Sequence, residues 1–275
     1  MTTMLEPTFE LTSEQIEFYR TEGYLAIDAL TTPEDIALLC ESYDRIFHER
    51  AGREEGNHFD LGGTDEEGTE AVLPQIVDPA RYAPELNDSL LLANANVLAR
   101  QLLGDDEVQC SFFHAIFKPA RIGAATPWHQ DASYWDGTQY YNDISIWVPL
   151  QEATLENGCM QFVPRSHQWD VLTHQSINDD PRILGLELHP LESGVVQAPV
   201  ACPLPAGGAT LHDFYMLHHT GPNRTDFGRR ALILSAKGKP TPRPRQRRLW
   251  WREEWNTLQA ERAAQAERNK EEAAK

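Results

Sequence analysis

The sequence predicts an α+β fold: a β-rich barrel or sandwich, with helices before it and one more helix after it. Three observations carry this. Apolar residues keep helical spacing through most of residues 11–104. Short apolar runs separated by Gly, Pro and Asn turns fill residues 108–238. From residue 241 the chain shifts to Arg, Glu and Ala with clustered tryptophans. Helices followed by strands, without βα alternation, favour helices packed on one side of the sheets.

The elements follow in order. Thr12 or Ser13 can cap a first helix, with Gln15 or Glu17 as the reciprocal partner; Ile16, Phe18 and Tyr19 form its apolar face and Gly23 ends it. Residues 24–27 read as a short strand. Pro33 sits in the first turn of a second helix, whose Ile36, Leu38, Leu39, Ile46 and Phe47 keep helical spacing to about Arg50. Residues 52–73 are acidic and glycine-rich, which reads as a solvated loop or as a mobile lid over a site. Helix returns over residues 84–104, closed by Gly104. Strands are expected at 108–117, 144–150, 160–163, 194–198, 209–214 and 230–236, with an insertion after Asp170 and a hairpin turn at Asn157-Gly158. In the tail, Trp250, Trp251 and Trp255 are expected to dock a helix on the body before a fraying Ala/Glu/Arg end. The whole chain, residues 1–275, reads as one domain with a β core at about 108–238.

Composition bounds the function. The net charge is −18 over 275 residues. Residues 241–275 hold nine basic and six acidic groups, so the first 240 residues carry −21. Nucleic acid and anionic membrane both require a basic face, so neither is an expected partner. No apolar run is long enough to span a bilayer, and the first ten residues lack an apolar leader core. The four cysteines form no C-x-x-C pair, so a reducing, cytoplasmic setting is expected. Oligomeric state is left open by the sequence.

Histidines point to the chemistry. Two His-x-Asp triplets occur, His58-Phe59-Asp60 and His129-Gln130-Asp131. The first lies in the glycine-rich stretch, where a ligand pair would have no rigid support. The second follows a strand, and in extended chain residues i and i+2 share a face. His129 and Asp131 can therefore aim an imidazole and a carboxylate at one point. A histidine from a later strand, His218 or its neighbour His219, would complete two histidines and one carboxylate, the set that leaves three adjacent positions open on Fe(II). Arg229 lies eleven residues after His218. Folding back across an antiparallel turn at Gly221–Gly228 would bring its guanidinium near the metal as a fork for a carboxylate. His114 on an apolar strand reads as a core histidine, and His167, His174 and His189 as loop or turn residues.

The pattern resembles the phytanoyl-CoA dioxygenase family of Fe(II)- and 2-oxoglutarate-dependent oxygenases. The resembling residues are His129-Gln130-Asp131, Trp147, Glu156-Asn157-Gly158-Cys159, Val163-Pro164-Arg165-Ser166-His167, His218-x-Thr220-Gly221-x-Asn223 and Arg229. Phe18-Tyr19 through Gly23-Tyr24-Leu25 matches the family's opening, so the resemblance spans about residues 11–237. It implies a double-stranded β-helix (jelly-roll, cupin-like) core. It implies His129, Asp131 and His218 as iron ligands, and Arg229 with Thr220 at the C5 carboxylate of the co-substrate 2-oxoglutarate. It places Trp147 and Lys118 near that co-substrate and Gln130 toward the substrate, with O₂ as the oxidant. Tyr134 and Trp135 follow the ligands and read as a substrate wall. Arg165 and His219 replace residues that are small in the family. Asp131 stands where related halogenases carry a small residue, which disfavours halogenation.

The expected activity is hydroxylation of an unactivated C–H in a small organic molecule, with release of succinate and CO₂. Desaturation, cyclisation or epoxidation at the same iron are alternatives. So is a sensor that binds metal or ligand without turnover. Acyl-CoA is disfavoured as substrate, because a body of this charge has no evident Lys/Arg cluster to receive its phosphates.

Overall fold

The structure, a computed structural model, describes residues 6–253 except residue 67, together with residues 255–257, 260, 261, 264 and 268. Three helices are α1 (Ser13–Glu22), α2 (Pro33–His48) and α3 (Leu90–Leu103). The strands are β1 (Tyr24–Ile27), β2 (His58–Asp60), β3 (Pro74–Val77), β4 (Cys110–Lys118), β5 (Thr126–His129), β6 (Gln139–Tyr140), β7 (Asp143–Pro149), β8 (Met160–Phe162), β9 (His174–Ser176), β10 (Leu186–Leu188), β11 (Val200–Cys202), β12 (Ala209–Asp213), β13 (His218–Thr220), β14 (Arg229–Lys237) and β15 (Thr241–Pro242). They form a seven-stranded sheet in the order β1-β12-β7-β14-β4-β3-β2 and a four-stranded sheet in the order β11-β8-β13-β5, with two small two-stranded pairs. Neighbouring strands run antiparallel.

The helices form where the sequence supplies caps. Thr12 and Gln15 make a reciprocal capping box on α1, and Gly23 closes it at φ +83°, a conformation that suits glycine. Thr32 caps α2 with Pro33 in its first turn. The buried Asp35 carboxylate accepts from the Leu90 and Leu91 amides, so α2 caps the start of α3.

Alternation along the large sheet separates two environments. Ile144, Ile146 and Val148 of β7, Leu211 of β12 and Leu232 and Leu234 of β14 join one core with Leu39, Tyr43 and Ile46 of α2 and Leu91 and Leu98 of α3. The intervening residues Ser145, Trp147, His212, Ile233 and Arg229 line a cavity, together with His129, Met160, His218 and Thr220 of the small sheet. The helices thus cover one face of the large sheet, and the cavity lies between its other face and the small sheet.

Several expectations change. No strand forms at 194–198: Pro190 opens a 3-10 segment, Pro190–Val195, and the strand follows at Val200–Cys202. Asn157-Gly158 is not a hairpin turn, because β7 and β8 belong to different sheets. The Asn157 side chain instead accepts from the Thr154 amide and donates to the Glu152 carbonyl. Gly158 adopts φ +90°, and a Cβ there would come within 2.4 Å of the Gly221 carbonyl oxygen. Likewise β13 and β14 do not pair; β13 pairs with β5 and β8, and β14 with β4 and β7. Arg229 reaches the site because the two sheets face each other.

The segment 52–73 is only partly loop. His58–Asp60 joins the large sheet as an edge strand. The Asp60 carboxylate accepts from the amides of Gly62, Val72 and Leu73, which closes the loop on itself. Arg53 pairs with Asp65 at 2.7 Å. Gly56, Asn57, Phe59 and Leu61 line the cavity, so this stretch is a pinned wall. In the tail, residues 250–253 and 255–257 are helical. Trp251 donates to the Ser133 carbonyl and Trp255 to the Leu184 carbonyl. Trp250 does not dock to the same degree, being 41% exposed. The fraying end expected beyond it lies mostly outside the described residues. No helix among the described residues is long and apolar enough to cross a membrane.

Candidate metal centre and co-substrate pocket

The histidine and carboxylate groups meet as the i, i+2 spacing requires. His129 ends β5 and Asp131 opens a 3-10 turn, Asp131–Tyr134. His218 opens β13 and pairs in register with His129 across the two strands. One ligand atom from each of His129, Asp131 and His218 falls within 4.8 Å of the others. Both Nε2 atoms lie 3.7 Å from Asp131 Oδ1. His129 Nδ1 donates to the Pro127 carbonyl at 2.8 Å, and His218 Nδ1 to the Met216 carbonyl at 2.9 Å. Each ring is thereby fixed in the tautomer that leaves Nε2 as the donor to a metal. His219 points its ring elsewhere, stacked on Trp128 at 5.0 Å. Geometry thus selects His218 of the adjacent pair.

Three groups that the sequence did not single out hold this arrangement. Asp131 Oδ2 accepts from Ser145 Oγ at 2.5 Å and from His212 Nε2 at 3.3 Å. Ser145 and His212 are direct cross-strand partners on β7 and β12, so one row of the large sheet grips the carboxylate. Burial alone would raise the Asp131 pKa, but His218, His212 and His129 outweigh it and hold the carboxyl well below its usual range. The third is His174, expected as a loop residue. It is fully buried on β9. Its Nε2 accepts from the Gln130 amide at 3.1 Å while Nδ1 donates to the Leu172 carbonyl. It therefore supports the backbone between the two ligands of the triplet, and burial lowers its pKa to about 3, so it remains neutral. The insertion after Asp170 is what supplies it. His167 lies in a 3-10 turn, and His189 precedes another as its cap, both outside the strands as expected.

Burial also lowers the His129 pKa, and lowers that of His218 well below the usual histidine value. Protons compete with a metal for Nε2, so depressed values keep both ligands free of protons through neutral pH. Divalent metal affinity is expected to stay flat from about pH 8 to about pH 6.5 and to fall only below that. Competition titrations at stepped pH check this; a loss approaching 100-fold over the unit below pH 7 would contradict it. Ser145→Ala removes one donor from Asp131 without touching a ligand. The expected loss of metal affinity is about 10- to 100-fold, the usual range for such supporting partners. Unchanged affinity in the same titration would show that the hydroxyl plays no part.

Beside the three ligands lies a buried cation. Arg229 is 1% exposed, and its Nε and Nη1 have no hydrogen-bond partner. Trp147 covers the guanidinium, with Cζ 5.4 Å from the ring centroid. The neighbouring Thr220 Oγ1 is buried and equally without a partner. Burial lowers the Arg229 pKa to about 10, which leaves it charged at neutral pH. A buried charge with orphaned N–H groups is costly unless an anion completes it. This pocket is thus complementary to a carboxylate.

Two expected site residues are placed differently. Lys118 is fully buried, but its ammonium donates to the carbonyls of Ala124, Thr220 and Gly221, which uses all three N–H groups. It fastens the strand that carries Thr220 and is not among the cavity-lining residues. Gln130 is buried on the far face from its two neighbours. Its amide donates to the Tyr215 carbonyl and accepts from the Leu172 amide, so it does not line the cavity. Tyr134 and Trp135 do line it, as expected, and His114 does too, although it reads in sequence as a core residue. Tyr134 packs edge-on against Trp255 at 5.8 Å, which makes the tail part of the wall. Arg165 takes φ +66°, where glycine would be unstrained. Its guanidinium pairs with Glu22 at 2.8 Å, away from the cavity lining.

Two imidazoles and one carboxylate on a cavity wall that also carries a buried guanidinium without an anion make a candidate mononuclear metal site with a pocket complementary to an acid. The family model described as phytanoyl-CoA dioxygenase (PhyH) matches residues 19–231, and the chain belongs to that family. A probable alpha-ketoglutarate-dependent hypophosphite dioxygenase of Stutzerimonas stutzeri is 27% identical, over 81% of this chain and 77% of its own. The ectoine dioxygenase of Bordetella bronchiseptica is 30% identical over 58% of this chain and 50% of its own. Among solved structures, EvdO2 from Micromonospora carbonacea var. aurantiaca has a TM-score of 0.76 and 36% identity, covering 90% of this chain and 99% of its own. Its complex with 2-oxoglutarate has a TM-score of 0.74.

Proposed function

We propose that the protein is an Fe(II)- and 2-oxoglutarate-dependent dioxygenase. In this reading it hydroxylates an unactivated C–H of a small organic metabolite that is not a CoA ester, with release of succinate and CO₂. The observation that carries the reading is the Arg229 guanidinium, buried with two unsatisfied N–H groups beside His129, Asp131 and His218. A dicarboxylate that reaches a metal with one end and Arg229 with the other satisfies both.

His129, Asp131 and His218 would hold the iron, which when bound supplies O₂-dependent oxidation coupled to decarboxylation of the 2-oxo acid. Arg229 and the Thr220 hydroxyl bind the far carboxylate, and Trp147 covers it, so the co-substrate is oriented as well as bound. Ser145, His212 and His174 keep the ligand set in place. Tyr134, Trp135 and Trp255 exclude water from the reacting centre. The two sheets are read as the two sides of a double-stranded β-helix, and the whole chain as one oxygenase unit. The cavity is about 380 Å³, near the small end of the roughly 300–1,000 Å³ usual for ligand sites. It must hold co-substrate and substrate together. Apart from Arg229, no Lys or Arg among the described residues lines it, which speaks against housing the phosphates of CoA.

The test is succinate formation and O₂ uptake with Fe(II), 2-oxoglutarate and a library of small molecules. Product mass then separates the outcomes: a gain of one oxygen supports hydroxylation or epoxidation, and a loss of two hydrogens supports desaturation or ring closure. Metal and 2-oxoglutarate binding without succinate, for any compound tested, would instead favour a sensor.

A further inference from the structure

A row of side chains crosses the large sheet beneath the cavity. Val77 of β3, His114 of β4, Ile233 of β14 and Trp147 of β7 are successive cross-strand partners. All four line the cavity. Three are apolar; His114 is the polar member. Its Nδ1 lies 2.9 Å from Gln75 Oε1. A carboxamide oxygen only accepts, so Nδ1 carries the proton and Nε2 keeps a lone pair. Among the described residues no hydrogen bond is made by Nε2, and it is not among the buried unpartnered atoms. Burial holds the ring's pKa down at about 4, so it stays neutral. The arrangement differs from that of His129 and His218, whose Nε2 atoms face the metal position.

The rest of the lining limits the ligand further. Phe59, Val77, Phe113, Trp135, Phe214 and Trp255 supply apolar and aromatic faces. Among the described residues that line the cavity, Asp131 and Arg229 carry charge, and the proposed metal and co-substrate would engage both. A substrate carboxylate, phosphate or ammonium would enter with no partner of its own, at a cost of several kcal/mol. For a hydroxyl or N–H, the open lone pair of His114 Nε2 is an acceptor set among the apolar faces.

We propose that the substrate is an uncharged, compact, largely apolar molecule bearing a hydroxyl or N–H group, and that His114 Nε2 accepts its hydrogen bond. His114 thus acts as a specificity residue on the wall opposite the small sheet. The proposal deepens the oxygenase reading and rests on it; binding is read apart from turnover, with redox-inert Zn(II) in place of iron.

The experiment uses full-length protein saturated with Zn(II) and 2-oxoglutarate, so that Asp131 and Arg229 are both engaged, and labelled with ¹⁵N in histidine, with His114→Gln to assign the ring. Long-range ¹⁵N–¹H spectra should show His114 protonated at Nδ1 and not at Nε2. Four probes follow: cyclohexylmethanol, its methyl ether, cyclohexylacetate and cyclohexylmethylammonium. The alcohol should bind about tenfold more tightly than the ether, the worth of one buried hydrogen bond. It should bind more tightly than either ion and should move the Nε2 resonance. In His114→Phe, which keeps the wall filled, alcohol and ether should bind equally. A proton on Nε2, equal binding of alcohol and ether to the wild type, preference for an ion, or no binding of the alcohol up to its solubility limit would each overturn the proposal. Succinate formation is measured separately. Normal 2-oxoglutarate turnover with a failed probe pattern removes this inference alone, whereas a sound probe pattern without succinate removes the oxygenase reading.

Discussion

Asp131→Ala is expected to lose Fe(II) binding by well over about 100-fold, beyond the range for partners that merely support a ligand. Asp131 is the one anion among the three grouped ligand residues. Without it, a divalent cation would meet two neutral imidazoles in a cavity that also holds the charged Arg229, with no negative group to offset either. Ser145 and His212 would lose the acceptor that they share. Anaerobic equilibrium dialysis measures the effect, with circular dichroism as the control for folding. Retained stoichiometric iron would mean that the metal sits elsewhere. Alanine at this position also opens room beside the metal, so chloride should be included as a possible rescuing ligand.

Arg229→Met is the second large effect, and it has two opposite signs. Removing one partner of a buried, hydrogen-bonded charge pair costs about 2–5 kcal/mol, or roughly 30- to several-thousand-fold in 2-oxoglutarate affinity. Iron affinity should change little, since Arg229 is not a ligand. Without co-substrate the sign reverses. The wild type then carries a buried guanidinium with two unsatisfied N–H groups, and an apolar side chain of similar length relieves that cost. The metal-free variant is therefore expected to melt above the wild type, while 2-oxoglutarate with metal should stabilise the wild type far more than the variant. Thermal melts with and without the co-substrate check both signs together. A variant that melts lower and still binds 2-oxoglutarate normally would assign Arg229 a purely structural role.

The site was legible in the sequence where local spacing determines geometry. His129 and Asp131 share a face because extended chain repeats every two residues, and that rule needs no tertiary knowledge. The caps of α1 and α2 are local for the same reason. What escaped depends on contacts between distant strands. Ser145 and His212 are 67 residues apart in sequence yet direct neighbours on β7 and β12, and neither sits in a motif. The sole hint was parity: His212 alternates with Leu211 on a strand whose other face is apolar. His174 reads as loop because its neighbours look like loop, while its role comes from the Gln130 amide 44 residues earlier. Arg229 was placed at the site through a hairpin that does not exist. Two facing sheets bring it to the cavity instead.

Lys118 shows the opposite failure. A lysine near a carboxylate pocket reads as a ligand contact, but three backbone carbonyls claim its donors. Sequence carries no information on which acceptors a buried ammonium will meet. Gln130 was lost to the same parity that placed His129 and Asp131, because the residue between two that share a face points away from it. The tail was expected to dock, yet its place in the cavity wall lay beyond reach. The family match ends at residue 231, and Trp255 reaches the lining from outside it.

In the proposed reading, one cavity binds iron through His129, Asp131 and His218 and 2-oxoglutarate through Arg229. An anaerobic titration of the full chain with Fe(II) and then 2-oxoglutarate, followed by visible absorption, tests it most directly. A weak charge-transfer band is expected, saturating with equimolar iron and 2-oxoglutarate. The band should be absent in Asp131→Ala and should require far more 2-oxoglutarate in Arg229→Met. No band in the wild type at saturating 2-oxoglutarate, or an unaltered band in both variants, would contradict it.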